Sequence, residues 1–243
     1  IVAALPKAPI KEAAVRLGVT QYGFLLSVLG MTLAKYCGSE DVVVGTAMSG
    51  RTLKEQEKMI GMFVNTLPVR MKPAGDIPFK DYLLKTAQTI RGVQANQTYP
   101  FEKLVPMLAP ERNASRSPVF DVIFNYLQEQ PLPEIEGAKA AYIPIKGQAL
   151  QMDLVLEAIH EGPNFKFKLS YSRQLYNETI VQNFMEQFII TLQRCCDDGD
   201  NQTLADLAEL PDSQKRQILC DFPGKTVEGW GGRTVISLFK EQA

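Results

Sequence analysis

Hydrophobic and polar residues recur along the chain with two periods, one typical of helices and one typical of strands. After Thr20 the chain is apolar on nearly every side to about Tyr36, which predicts an interior helix with Thr20 as its N-cap. The valine run in DVVVGTAM, residues 41–48, predicts a strand covered on both faces. Pro78 opens a second helical stripe, and FEKLVPML, residues 101–108, predicts a short helix after it.

Three further stretches follow the period-2 rule. Residues 63–71 alternate, and Pro68 within them indicates an edge, a bulge or a strand end, because proline cannot donate to a ladder. Residues 119–127 place Phe120 on the same face as Val122, Phe124 and Tyr126. QMDLVLEAIH and NFKFKLSYS, joined at residues 161–164, predict a β-hairpin.

The last third of the chain changes character. Asn177 caps a long amphipathic helix that is predicted to end near Cys196. FPGKTVEGWGG, residues 222–232, has the composition of a linker, and residues 234–243 resemble the opening turns of another helix. The order of strands and helices predicts an α/β layered sandwich.

Composition and charge exclude several classes of protein. The 243 residues are 45% hydrophobic, as in ordinary globular proteins, and the net charge of −1 gives no footprint for nucleic acid or an anionic membrane. The longest apolar run, residues 24–34, is too short to span a bilayer, and the first residues lack the features of a signal peptide. The four cysteines have neither disulfide nor zinc spacing, so reduced thiols in a cytoplasmic chain are expected.

Candidate catalytic groups are scarce. His160 is the only histidine, so no paired-imidazole or metal motif exists, and a structural turn or surface histidine is the favoured interpretation. Gly224-Lys225-Thr226 resembles the end of a phosphate-binding loop, but Leu219 stands where the motif needs glycine. No catalytic residue and no metal ligand is predicted.

Polar residues at or near strands are the remaining candidates. Asp121 and Asn125 share one strand face, where they either line a cleft or face solvent. Arg51 follows a buried strand at the end where ligand-facing groups collect in α/β sheets, but without a carboxylate partner a solvated loop arginine is the default interpretation. Asn65 and Thr66 interrupt an apolar strand, and they either bond to neighbouring backbone or point into a polar cavity.

Four ordered stretches resemble the condensation domains of nonribosomal peptide synthetases. DVVVGTAMSGR is similar to a family strand ending in Gly-Arg, and IGMFVNTLPVR contains the Gly-x-Phe-Val-Asn-Thr motif. NQTYPFEKLV contains the Tyr-Pro-Phe-Glu motif, and RNASRSPVFDVIFNY contains the Ser-Arg-x-Pro motif. The resemblance covers about residues 10–210, and LPDSQKRQIL and TVISLFKEQA are similar to the connector and first helix of an adenylation domain.

The resemblance implies a lobe like chloramphenicol acetyltransferase, one of two that enclose a tunnel. It implies amide formation between a donor thioester and an acceptor amine, each carried on the phosphopantetheine of a carrier protein. The family signature His-His-x-x-x-Asp-Gly is absent from this sequence. The chain therefore resembles the C-terminal lobe, residues 1–205, followed by a linker and the start of an adenylation domain, residues 206–243, and is expected to be inactive alone.

The resemblance also implies site roles and partners. Arg51 corresponds to the arginine that pairs with the aspartate of the missing signature, while Asn65 and Thr66 are expected to be structural. Five residues are tunnel-lining candidates: Met48, Ser49, Gly61, Asp121 and Asn125. No cofactor is bound directly, and the expected partners are the N-terminal lobe, carrier proteins and an adenylation domain, with no nucleic acid and no membrane.

Relatives of the same fold leave alternatives. Epimerisation domains differ where FVNTL stands and are disfavoured, whereas a cyclisation domain is harder to separate because it differs chiefly in the N-terminal lobe. A non-catalytic module that docks carrier or adenylation domains is the competing class. A stand-alone acyltransferase using coenzyme A is a third interpretation, and the adenylation-like tail argues against it.

Overall fold

The structure is a computed structural model that describes most of the chain. The described residues are 1–108, 117–128, 132, 135–138, 140, 141, 143, 152–222 and 234–242. Several sequence features lie outside them: Ser115 and Arg116 of the Ser-Arg-x-Pro motif, all but the first residue of the 222–232 linker, and Gly224-Lys225-Thr226. Two compact units are present, residues 1–209 and 210–243.

The first unit is built on a six-stranded mixed sheet. Its strands are β1 (Val2–Pro6), β2 (Val42–Met48), β3 (Asn65–Met71), β4 (Val122–Gln128), β5 (Leu154–Glu161) and β6 (Asn164–Tyr171). Their order across the sheet is β1-β6-β5-β4-β2-β3. The pairs β2–β4 and β4–β5 are parallel, and the other pairs are antiparallel. The predicted hairpin and the edge position of Pro68 are confirmed.

Helices alternate with these strands. The first unit contains α1 (Lys7–Arg16), α2 (Gln21–Cys37), α3 (Phe79–Ala95), α4 (Phe101–Leu108), α5 (Glu178–Asp198) and α6 (Leu204–Leu207), with a 3-10 turn at Lys54–Lys58. The second unit contains α7 (Asp212–Arg216), a π-helical turn (Gln217–Asp221) and α8 (Val235–Gln242). The predicted caps are confirmed, because Thr20 Oγ1 accepts the Gly23 N–H at 3.1 Å and Asn177 Oδ1 accepts the Thr179 N–H at 2.9 Å.

One face of the sheet, here called the packed face, is covered by helices. Tyr22 of α2 donates to Thr46 Oγ1 at 3.1 Å, and Phe188 of α5 meets Phe167 with ring centroids 5.5 Å apart. The packed-face residues of the central rows are buried: Val44, Thr46, Phe124, Leu156, Ala158, Phe167 and Leu169. Their burial is the source of most of the hydrophobic stabilisation of this unit.

The opposite face, here called the open face, carries the alternate residues of the same strands. Its central row runs through Thr66, Ala47, Asn125, Glu157 and Lys168, one residue from each of five neighbouring strands. Ala47 and Asn125 each follow directly after the pair Thr46–Phe124, the last pair between β2 and β4. Ala47 and Lys168 are exposed, and the other three are partly buried. The sheet therefore has one helix-covered face and one face that mixes apolar residues, such as Ile123 and Val155, with polar ones.

Phe120 departs from its predicted place. The prediction put it on one strand face with Phe124, but β4 begins only at Val122. A Cβ at Gly45 would lie 2.3 Å from the Phe120 ring, so this ring covers Gly45 on the open face and meets Phe101 of α4 at 5.4 Å. The alternation failed because the chain before Val122 does not follow the pleat.

The first twenty residues were not assigned by the sequence prediction. β1 is only five residues long, which is too short for its period to be read, and α1 has Pro9 within its first turn. Proline is tolerated there because the first N–H groups of a helix have no intrahelical partner. Ile10, Ala13 and Ala14 of α1 complete the hydrophobic core.

Candidate functional site

The end of β2 and the start of β3 are held together by a close backbone approach at Gly50. Gly50 has φ of +63°, and a Cβ on it would lie 1.9 Å from the carbonyl oxygen of Phe63. Any side chain there would be both strained and in collision with backbone. Glycine is therefore required where the Gly-Arg and Gly-x-Phe-Val-Asn-Thr motifs meet.

Arg51 is fixed by its neighbours. Its guanidinium carbon lies 4.3 Å from the centroid of the Phe63 ring, and its Nη1 donates to the carbonyl oxygen of Gln56. Gln56 Oε1 in turn accepts the N–H groups of Thr52 at 2.9 Å and Leu53 at 3.1 Å. Within the described residues Arg51 has no ion-pair partner. The result is a preorganised cation with donors left for an incoming carboxylate.

Asn65 joins two of the sequence motifs. Its Nδ2 donates to the carbonyl oxygens of Gln97 at 2.9 Å and Tyr99 at 2.7 Å. Both acceptors lie in the loop between α3 and α4, where the Tyr-Pro-Phe-Glu motif begins. The sequence left two interpretations of Asn65, a hydrogen bond to nearby backbone or a side chain in a polar cavity. The structure shows hydrogen bonds to backbone.

The other predicted residues fall into two groups. Met48 pairs with Asn65, Ser49 Oγ accepts the Arg51 N–H at 3.5 Å, and Gly61 lies beside the Phe63 ring. These residues form one cluster with Arg51 and Phe63. Thr66 and Asn125 lie instead on the open face with Ala47 between them, about 10 Å apart at the usual strand spacing.

Asp121 and Asn125 differ in their setting. Asp121 stands just before β4, and its carbonyl oxygen accepts the Leu154 N–H at 3.2 Å. Asn125 lies in the middle of β4 beside Glu157, and Oδ1 of Asn125 is buried with no hydrogen-bond partner in the described part of the chain. Glu157 itself is paired with Lys168 at 2.9 Å, on the far side from Asn125.

His160 lies on the packed face, away from both groups. Its ring centroid is 4.8 Å from that of Tyr126 and 4.5 Å from that of Phe165, and its Nε2 is buried without a partner. Burial, with a smaller contribution from Lys7, lowers the pKa of His160. His160 is the last but one residue of β5, beside the hairpin turn, and it is partly buried.

Several residues of this region were missed by the sequence analysis. Phe63 and Gln56 fix Arg51, and the carbonyl groups of Gln97 and Tyr99 fix Asn65. Apolar side chains beside the cluster are left exposed: Met59 (54%), Ile60 (105%), Met62 (90%) and Val64 (52%). Contiguous exposed apolar residues of this kind mark interaction surfaces.

No group of three or more His, Cys, Asp or Glu side chains that could hold a metal ion occurs in the described part of the chain. Among the same residues no single helix is long and apolar enough to cross a membrane. One pair of consecutive helices, α1 and α2, would be long and apolar enough together, but the pair is bent by 95° at the break between them.

Comparison with models of known protein families shows to which family the chain belongs. The family model described as "Condensation domain" matches residues 5–219. The chain belongs to the condensation domain family. The resemblance inferred from four motifs is thereby confirmed at the level of the family.

Curated relatives of this condensation-domain chain are peptide synthases. Gramicidin S synthase 2 of Brevibacillus brevis is 34% identical over 235 residues, which are 95% of this chain and 5% of the synthase. Bacitracin synthase 2 of Bacillus licheniformis is 33% identical over 235 residues, covering 96% of this chain and 9% of the synthase. The chain therefore spans less than a tenth of the length of these relatives.

Solved structures confirm the fold class. The X-domain from teicoplanin biosynthesis has a TM-score of 0.78 at 22% identity, covering 86% of this chain and 49% of that one. The condensation domain of the monacolin K polyketide synthase MokA has a TM-score of 0.73 at 23% identity, and the match covers 84% of this chain and 48% of that one. A holo four-domain nonribosomal peptide synthetase bound to AMP and glycine has a TM-score of 0.78 at 17% identity, and the match covers 100% of this chain and 20% of that one. The layered α/β sandwich is that of the condensation domains, which are CoA-acyltransferase-like.

Proposed function

We propose that this chain is the C-terminal lobe of a nonribosomal peptide synthetase condensation domain. The observation that carries the proposal is the extent of the structural match. Most of this chain aligns with two single condensation-type chains, but the aligned part is only 49% and 48% of the length of those chains. Half of a two-lobed domain has that extent. The sole histidine lies on the packed face, so a catalytic histidine pair belongs to the other lobe.

The proposed reaction forms an amide bond. The amine nitrogen of a carrier-bound aminoacyl acceptor attacks the thioester carbonyl carbon of a carrier-bound donor. The C–N bond forms, the C–S bond breaks, the donor carrier keeps its pantetheine thiol, and the amine proton passes to a base. That base is the second histidine of the His-His-x-x-x-Asp-Gly signature, supplied by the N-terminal lobe.

Arg51 is a positioning residue in this proposal. Its stacked guanidinium has donors directed by Phe63 and Gln56 and no ion pair among the described residues. The aspartate of the signature provides the matching carboxylate, and a charge-assisted pair holds the signature loop across the lobe interface. The exposed apolar residues 59–64 flank Arg51 and are buried when the N-terminal lobe docks.

The second unit is proposed to be the linker and start of an adenylation domain. The family model ends at residue 219, whereas the four-domain synthetase aligns over the whole chain. Carrier proteins bring phosphopantetheine to the tunnel, so the lobe itself binds no cofactor permanently. The four cysteines are free thiols, which suits the reducing cytoplasm.

The test is intact-mass detection of a dipeptidyl carrier. Two loaded carriers are mixed with this chain alone, and with the chain joined behind an N-terminal condensation lobe. Product only in the joined form is expected, and Arg51→Ala in that form is expected to lower the product rate about 10- to 100-fold through loss of a charge-assisted pair. Arg70→Ala is the matched control, because Arg70 pairs with Asp41 on the exposed edge.

Other outcomes identify the alternatives. Absence of product with both forms, when the carriers still bind, favours a non-catalytic docking module. Product from the chain alone contradicts the half-domain and directs attention to His160. A heterocyclic product in the joined form identifies a cyclisation domain, and transfer from coenzyme A identifies the stand-alone acyltransferase.

A further inference from the structure

Asn125 stands out on the open face because its carboxamide has no hydrogen-bond partner among the described residues. Oδ1 is buried and unpaired there, and Nδ2 donates to no described residue. Native proteins leave few buried polar atoms unpaired, and each such atom calls for an explanation. A leucine of the same shape would avoid the desolvation cost of Oδ1. The fold therefore gains nothing from an asparagine at this position.

The surroundings of Asn125 restrict what could bind there. Ala47 lies beside it on β2 and is exposed although β2 is an interior strand. Glu157 lies beside it on β5, and its carboxylate is already paired with Lys168 at 2.9 Å. The position thus offers a methyl surface, a free amide N–H and no unpaired charge. A neutral, extended chain with a carbonyl group matches these features better than an ion does.

The open face is closed on one side of this position. One row away, Phe120 lies over Gly45 and packs against Phe101 of α4. On β2 the covered residue is Gly45, whereas Ala47, in the row of Asn125, is exposed. A chain that runs along this row passes directly over Asn125 Nδ2.

We propose that Asn125 Nδ2 donates a hydrogen bond to an amide carbonyl of a pantetheine arm lying along the open face. This inference rests on the proposed function, which supplies the pantetheine arm, and deepens it by assigning a binding residue. The thioester carbonyl is the other carbonyl that such an arm carries. The experiment is therefore designed to separate the two.

The test measures binding and stability together. Pantetheine is titrated into ¹⁵N-labelled chain, alone and joined behind an N-terminal lobe, and the side-chain amide signals are followed. Asn125→Leu is expected to weaken pantetheine binding about three- to tenfold, the loss of one neutral hydrogen bond, and to leave the melting temperature unchanged or higher. Asn96→Leu is the control, because Asn96 is an exposed asparagine at the end of α3.

Each other outcome overturns the proposal. If wild type and Asn125→Leu bind pantetheine with equal affinity, Asn125 does not donate the proposed hydrogen bond. The same conclusion follows if neither form of the wild type binds pantetheine. A variant that binds pantetheine normally but acetyl-pantetheine weakly assigns Asn125 to the thioester carbonyl instead. A lower melting temperature for Asn125→Leu shows that the asparagine is structural.

Failure of the inference and failure of the proposed function give different results. If the joined wild type forms the dipeptidyl carrier and Asn125→Leu forms it at the same rate and KM, only the inference fails. If the joined wild type forms no product while pantetheine binding depends on Asn125, only the condensation reaction fails.

Discussion

The two faces of the sheet are made by the same strands and differ in what their residues do. On the packed face Phe124, Leu156 and Phe167 are fully buried under α2 and α5. One position further along each strand, the open face presents Asn125, Glu157 and Lys168. Phe124, Leu156 and Phe167 belong to the hydrophobic core, whereas Asn125 has a buried oxygen with no partner among the described residues. Burial of the packed face stabilises the fold, and the open face is the one to which binding of the pantetheine arm is proposed.

The largest expected effect separates two adjacent residues of β6. Phe167→Ala removes a ring that contacts Phe188 and Phe165 in the core, and a fully buried Phe→Ala change costs about 3–5 kcal/mol of unfolding free energy. Lys168→Ala, one residue later on the open face, is expected to cost less than about 1 kcal/mol. Urea denaturation of both variants measures the difference.

Similar losses in these two variants would contradict the division of the sheet into a packed and an open face. A large loss for Lys168→Ala alone would mean that the open face contributes to folding as much as the core does.

The next largest effect concerns the asparagine that has partners. Asn65→Ala leaves the carbonyl oxygens of Gln97 and Tyr99 without their donor and is expected to cost about 1–3 kcal/mol. In the joined, complete domain the turnover of folded protein is expected to change little. Asn96→Ala is the control, because it removes one exposed bond to the Gly92 carbonyl.

Thermal melts and product formation per folded molecule give the two readouts. If Asn65→Ala melts like Asn96→Ala yet loses turnover, Asn65 acts at the chemistry and the structural role is wrong.

The sequence predicted the fold well where its periods were long enough to be read. The α2 cap at Thr20, the α5 cap at Asn177 and the hairpin after residue 160 all follow local rules. The position of the hairpin turn also determines the Glu157–Lys168 pair. Once Glu161 pairs with Asn164, the antiparallel register fixes the partner of every residue further along the two strands. The Glu157–Lys168 pair was therefore predictable from the sequence, but it was not predicted.

The site was less accessible to the sequence because its contacts are long-range. Spacing alone could not tell Asn65, whose side chain bonds to carbonyls more than thirty residues later, from Asn125, whose Oδ1 has no partner among the described residues. The stacking of Arg51 on Phe63 depends on the close approach at Gly50, which no local pattern encodes. Family motifs located these residues, and coordinates were needed to separate their contacts.

A smaller effect tests whether His160 belongs to the packed face. Burial lowers the pKa of His160, so below about pH 6.5 the unfolded chain binds the proton more readily than the folded chain. Unfolding free energy is therefore expected to fall as the pH drops from 7.5 to 5.5, and to fall less in His160→Gln. Urea titrations at both pH values measure it, and equal pH dependence in the two proteins would place the imidazole in solvent.

The smallest expected effect compares two ion pairs of the hairpin. Glu157 pairs with Lys168 and has a side chain only 20% exposed, whereas Glu161 pairs with Lys166 and is 45% exposed. Glu157→Gln is expected to cost about 0.5–1 kcal/mol and Glu161→Gln less than about 0.5 kcal/mol, because solvent screens the exposed pair more strongly. Raising the salt concentration to about 1 M should reduce both effects, and more completely at Glu161. An equal or reversed order would mean that the row beside Asn125 is as open to water as the hairpin end, and the neutral surface proposed for the pantetheine arm would then be absent.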